Sequence, residues 1–145
     1  MIVISPYYHR NKKDQTDYLE KALFTHINSI KIQVGNDWTE FGVHYGVVNK
    51  VHLYFLHNEE IFPKPYADGE PWYTMKQMVS FGKGCLELLC QIQTIPPLIV
   101  TNDWFTGLTA AYAKNKHFGS VFDSTKFFHI VHNLDPSYEG RLPLF

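Results

Sequence analysis

Apolar residues in this chain recur first with a period of two and later with a period of three to four, and the change divides it. Met1-Ile2-Val3-Ile4-Ser5 is a β-branched run that stops at Pro6, and Ser29-Ile30-Lys31-Ile32-Gln33-Val34 alternates as a half-buried strand does. Phe41 to Val48 and Val51 to Leu56, split by Asn49-Lys50, predict a hairpin or two adjacent strands joined by an Asn-led turn. From Asn58 to Trp72 the residues Pro63, Pro65, Asp68, Gly69 and Pro71 enforce a loop. Beyond it Met75, Met78, Val79, Gly82, Cys85, Leu86 and Leu89 mark one buried face of a helix. Gly82 and Gly84 each weaken that helix by about 1 kcal/mol relative to alanine, so close packing against a neighbour is the expected compensation.

Pro96 and Pro97 then reset the chain for a strand from Leu98 to Thr101. The spacing predicts a second helix with Trp104, Leu108, Ala111 and Tyr112 on one side, ended by Asn115 to Gly119. A further apolar run, Phe127-Phe128-His129-Ile130-Val131, leads into His132-Asn133. Strand, helix, strand, helix, strand from residue 72 to 133 is the order of right-handed crossovers, which predicts the α/β class with a Rossmann-like, doubly wound, mostly parallel sheet. Ligands bind such sheets at the carboxyl ends of the strands, so Asp103 and His132 are expected in one crevice. The ending Arg141-Leu142-Pro143-Leu144-Phe145 brings no capping helix, and the chain is expected to be a fragment of something longer.

At 145 residues, 45% hydrophobic and 16% aromatic, the chain is enough for one compact unit whose core needs no disulfide. A formal charge of -1 with scattered Lys and Arg gives no footprint for nucleic acid or an anionic membrane. The apolar runs fall short of the roughly 20 residues of a spanning helix, and the expected protein is soluble and non-secreted. Cys85 and Cys90, five apart in a helical pattern, read as buried packing residues rather than a redox pair.

Asp103 stands where a strand gives way to a helix, a place for an N-capping carboxylate and also for a group that accepts hydrogen bonds from a sugar hydroxyl. His132 and Asn133 offer donors and acceptors together, against the plainer reading of a core histidine bonded to a carbonyl. His129 is three residues earlier and faces the other side of a strand, as His52 does relative to His57. His9, His26, His44, His52, His57 and His117 lack metal-ligand spacing, so neither a metal nor a cofactor is expected. There is no phosphate-binding glycine loop and no nucleophile elbow.

The run Asn102-Asp103-Trp104-Phe105-Thr106-Gly107-Leu108, then Ala111-Tyr112, then Phe128 to Leu134 and Tyr138-Glu139-Gly140, resembles the bacterial and plant starch and glycogen synthases of glycosyltransferase family 5. Their pattern reads H-D-W-Q-T-G-L, Y-L-K and F-T-x-H-N-L-A-Y-Q-G. Val51 to Leu56 with Asn58-Glu59-Glu60-Ile61-Phe62 and Tyr66, and the helix ending Cys85 to Leu89, are similar to it as well. The resemblance implies part of the amino-terminal domain of a retaining GT-B glycosyltransferase, spanning residues 1–145. Such an enzyme moves glucose from ADP-glucose or UDP-glucose to an α-1,4-glucan in a cleft between two Rossmann-like domains. It also implies His132 and Asp103 as catalytic-cleft residues, Asn133, Tyr138 and Gly140 as substrate-binding positions, and a cytoplasmic location, or a plastid one in a plant-like source.

Four departures set this chain apart from the pattern. The glycine-rich K-x-G-G-L loop and the carboxyl-terminal domain with its basic groups for the leaving diphosphate are expected to lie outside these 145 residues; Asn102 stands for the usual His and Glu139 for Gln; and the loop Asp135-Pro136-Ser137-Tyr138 is two residues longer. The isolated chain is therefore expected to be inactive. Two rivals are a non-catalytic glucan-binding or regulatory module stacking sugars on Trp38 and Trp72, and a sugar transferase that shares only the fold. Both tryptophans, and the many tyrosines, are also expected simply as core and loop packing.

Overall fold

The computed structural model describes residues 1–8, 24–64 and 71–134. Two compact units are present, Met1–Ala67 and Asp68–Phe145, in place of the single unit expected from size. The division falls inside the stretch whose prolines and Gly69 predict a loop. The class is α/β with parallel sheet elements, two strand pairs being parallel and two antiparallel.

In the first unit four strands lie in the order β1-β4-β3-β2: β1 (Ile2–Pro6), β2 (Thr25–Val34), β3 (Asp37–Val48) and β4 (Val51–His57). β1 runs parallel to β4, with Ile2 opposite His52 and Pro6 opposite Leu56. Asn49 and Lys50 both have positive φ, 50° and 66°, the two-residue turn whose twist matches the strands it joins. Alternation puts Ile30, Ile32, Val34, Phe41, Val43 and Leu56 inside. Asn58 then folds the chain over that face, its Oδ1 accepting the N–H groups of Glu60 at 3.0 Å and Ile61 at 2.9 Å. Phe62 thereby comes to rest 5.4 Å from the Phe41 ring. His52 stacks on Tyr45 while His57 meets Tyr7 and His44, so the two histidines do occupy opposite faces of β4.

The second unit opens with α1 (Pro71–Gln91), which takes its proline at the first helical position where no N–H is needed. Met78, Phe81, Cys85, Leu86, Leu88 and Leu89 are its buried face. Gln93, at φ 52°, turns the chain out; Thr94 N–H reaches Leu89 O and Gln93 N–H reaches Cys90 O, both at 3.0 Å, which satisfies the last carbonyls. Burial pushes the Cys85 thiol up, and burial followed by the Glu87 carboxylate pushes up that of the half-buried Cys90. Both are packing thiols rather than reactive ones.

Next come β5 (Leu98–Asn102) and β6 (Lys126–Ile130), a parallel pair with Leu98 opposite Lys126 and Asn102 opposite Ile130. Lys126 N–H to Pro97 O at 2.8 Å and Thr125 Oγ1 to Pro96 O at 2.9 Å fix the start of the register. One face carries Leu98, Val100 and Phe128, which are 53%, 48% and 60% exposed. Between the strands the expected second helix is broken into a 3-10 turn, Trp104–Thr106, and a short α2, Thr109–Lys114. The Thr106 hydroxyl turns back to Asn102 O at 2.6 Å, which competes with helix propagation, and Gly107 follows it. The buried residues of α2 are accordingly Thr109 and Ala113, whereas Ala111 is exposed. Gly82 faces Thr109, but a Cβ there would lie 3.4 Å from its backbone nitrogen and Oγ1, an ordinary contact rather than the close approach expected to compensate for the glycine.

Candidate functional site at the ends of two parallel strands

Asp103 and His132 meet where β5 and β6 finish. Asp103 follows the last residue of β5, and its N–H donates to Ile130 O at 2.8 Å, extending the parallel ladder by one bond. Its Oδ1 accepts the backbone N–H of His132 at 2.7 Å. The His132 ring swings to Asn102, with Nε2 3.0 Å from Oδ1. Two consecutive residues at the end of one strand therefore hold both the main chain and the side chain of a residue just past the end of the other.

Neither plain alternative survives for these two residues. Asp103 occupies the N-cap position of the 3-10 turn, yet its side chain makes no capping bond, and Oδ1 instead reaches across the strands to His132. Its backbone stands at φ 54°, ψ -175°, a region that suits glycine and costs other residues on the order of 1 kcal/mol or more. Strain of that kind persists only where the surroundings over-determine it, and here an N–H bond on one side and the carboxylate bond on the other do so. His132 is exposed rather than a core histidine, and its ring is bonded to an amide rather than to a main-chain carbonyl.

Asn133 is exposed beside His132. Tyr138 and Gly140 lie outside the described residues, as do Tyr66, Glu139 and His9. His129 is engaged elsewhere, its Nδ1 sharing a hydrogen bond with Thr101 Oγ1 at 2.8 Å, so it is separate from His132 as the strand period requires. Among the described residues no three His, Cys, Asp or Glu side chains are grouped to hold a metal. Trp38 and Trp72 are 69% and 66% exposed, against the expectation of core and loop packing, and Lys76 Nζ sits 5.9 Å from the Trp72 ring.

Two contributors were not marked by spacing. Asn102 is legible as the polar residue closing an apolar strand and as a departure from the motif, neither of which says what ring it would meet. Lys114, the last residue of α2, donates to the carbonyls of Phe122, Asp123 and Thr125 at 2.8, 2.9 and 2.7 Å, holding the turn that delivers β6. Chemically, the strand ends present a carboxylate with Oδ2 uncommitted among the described residues, an exposed imidazole and an amide. That set suits hydrogen bonding to a polyhydroxylated ligand.

Comparison with known proteins agrees with the motif resemblance. Residues 1–143 match the sequence profile of the family described as starch synthase catalytic domain. A glycogen synthase of Finegoldia magna is 35% identical over 107 residues, covering 70% of this chain and 22% of the relative. One from Aquifex aeolicus is 28% identical over 145 residues, 97% of this chain and 27% of the relative. The catalytic domain of starch synthase IV from Arabidopsis thaliana, solved bound to ADP and acarbose, superposes with a TM-score of 0.70 at 20% identity, over 90% of this chain and 26% of that one. The chain thus spans about a quarter of the length of the proteins it matches.

Proposed function

The chain belongs to the starch synthase catalytic domain family, and from that membership we propose that it is the acceptor-side, amino-terminal part of a retaining glucosyltransferase that lengthens an α-1,4-glucan from nucleotide-activated glucose. The observation that carries this reading is the meeting of Asp103 and His132 at the carboxyl ends of parallel strands, where α/β sheets take their ligands. In this role the residues position rather than cleave. The Asp103 carboxylate and the His132 ring hold sugar hydroxyls, a bond to the charged carboxylate contributing roughly 1.5 to 3 kcal/mol, and Asn133 lies beside them.

Glucosyl transfer builds negative charge on the departing diphosphate and needs cationic donors around it. In this reading that share belongs to a carboxyl-terminal domain, and the segment by itself does not transfer glucose. The donor is ADP-glucose or UDP-glucose, the acceptor a glucan, and the site of action the cytoplasm, or a plastid in a plant-like source.

A chimera tests the proposal: this segment replaces the matching segment of the Finegoldia magna glycogen synthase, and glucosyl transfer to glycogen is measured. An active chimera in which His132→Ala lowers kcat by tenfold or more, with an unchanged melting temperature, supports the reading. A folded chimera whose turnover ignores His132→Ala overturns it. As a check independent of the chimera's folding, maltotriose added to the isolated chain shifts NMR resonances of residues 102–104 and 132–133; their indifference at millimolar sugar also counts against it.

A further inference from the structure

We propose that Asn102 is a positioning residue that fixes the tautomer of His132, its amide oxygen holding the ring as the Nε2–H form so that Nδ1 is presented outward as an acceptor. A neutral imidazole carries one donor and one acceptor nitrogen, and the partner of one decides the role of the other. The atom 3.0 Å from Nε2 is the oxygen of Asn102, and an amide oxygen only accepts. With that oxygen toward the ring, the hydrogen sits on Nε2. Nδ1 keeps its lone pair and has no partner among the described residues.

The clamp is rigid at both ends. Asn102 is the last residue of β5, in register with Ile130, and its own carbonyl accepts the Thr106 hydroxyl at 2.6 Å. The main chain of His132 is pinned by Asp103 at 2.7 Å, so a second bond from the ring to Asn102 leaves the imidazole little freedom to turn. The identity of residue 102 matters here. A histidine at this place would gain and lose its own proton near neutral pH and could exchange donor and acceptor roles with His132. An asparagine does neither, so the chain that carries it presents one fixed face of the neutral His132 ring. The ligand chemistry this selects is a hydroxyl that donates, and the identification of that hydroxyl with a glucan or glucose hydroxyl rests on the reading proposed above. An isostere with fluorine in its place has no hydrogen to give.

The experiment uses the full 145-residue chain labelled with 15N-histidine, read by long-range proton–nitrogen correlation at about pH 8, where imidazole is neutral. The expected spectrum gives His132 a protonated Nε2 with an observable, slowly exchanging proton and a lone-pair shift at Nδ1. Asn102→Asp, whose ionised side chain can only accept, retains that pattern; Asn102→Ala loses the slow proton while resonances distant from the site stay in place. A protonated Nδ1 in the native chain overturns the proposal, since it means that the amide is turned and donates. A His132 signal identical in Asn102→Ala overturns it as well. Maltotriose is added last: a response at Nδ1 in the native chain that weakens in Asn102→Ala extends the clamp to sugar binding. No response from a chain already shown to hold the Nε2–H tautomer counts against the sugar reading and leaves the clamp standing.

Discussion

The carboxylate of Asp103 accepts the main-chain N–H of His132 at 2.7 Å, joining residues 29 positions apart at the finish of two neighbouring strands. This bond and the left-handed backbone at Asp103 act in opposite directions on stability. Asp103→Ala keeps the φ of 54° and loses the bond, and is expected to cost about 1.5 kcal/mol, the low end for a charge-assisted bond because the pair is exposed. Asp103→Gly loses the same bond but relieves on the order of 1 kcal/mol of backbone strain. The glycine variant should therefore have the higher urea midpoint at equal slope; a midpoint below that of the alanine variant refutes the opposition.

Lys114 gathers three carbonyls from one turn. Lys114→Met keeps most of the stem and removes the ammonium, leaving the carbonyls of Phe122 and Thr125 in a partly buried place without that donor. A loss of about 2 kcal/mol is expected, with faster amide exchange in β6. Lys114→Arg should fall between, because a planar fork cannot meet three converging oxygens as a compact ammonium does. Equal stability of the methionine variant would show that the three bonds add nothing net.

Two glycines are expected to differ in sign. At Gly82 a Cβ makes ordinary contact at 3.4 Å with Thr109, so Gly82→Ala gains the helix preference of about 1 kcal/mol or stays neutral, while Gly82→Val destabilises. At Gly46 a Cβ would lie 2.8 Å from the Phe24 ring, which must give up its place 5.1 Å from Phe55. Gly46→Ala should lower the melting temperature, and thermal scans of the two alanine variants side by side decide the comparison.

His117 supplies a pH dependence with a definite sign. Burial first, and then the Lys83 ammonium, hold its value below the ordinary 6.5, against a smaller opposing pull from Glu87. The folded protein thus binds this proton more weakly than the unfolded chain. Its contribution is intact above 6.5 and is lost as pH falls through that value, until the lower folded value is passed. His117→Gln should show a smaller drop in urea midpoint between about pH 7.5 and about pH 5.5 than the native chain. Identical drops would mean that the histidine does not sense its surroundings.

Much of this was legible because the two periods are clean. Leu98 to Val100 and Phe127 to Ile130 announce strands, and their polar successors announce a crevice. What failed was information that no local pattern holds. The partner of the Asp103 carboxylate lies beyond a whole crossover, so capping looked sufficient. The run from Trp104 to Tyr112 has helical spacing, yet the Thr106 hydroxyl and Gly107 break it. β3 begins at Asp37 rather than Phe41 because Trp38 and Glu40 continue the alternation on an exposed face; Gly35-Asn36, with Gly35 at φ 64°, was the available hairpin signal. Tyr138 and Gly140 fall outside the described residues, so their assignment rests on the motif alone.

The bare strip formed by Leu98, Val100 and Phe128 is expected to make this segment self-associate. Parallel strands are ordinarily sheltered on both faces, and a pair that shows wet hydrocarbon on one of them invites other copies to stick. Light scattering should climb with protein concentration and with ammonium sulfate, and a lysine in place of Phe128 should quieten it.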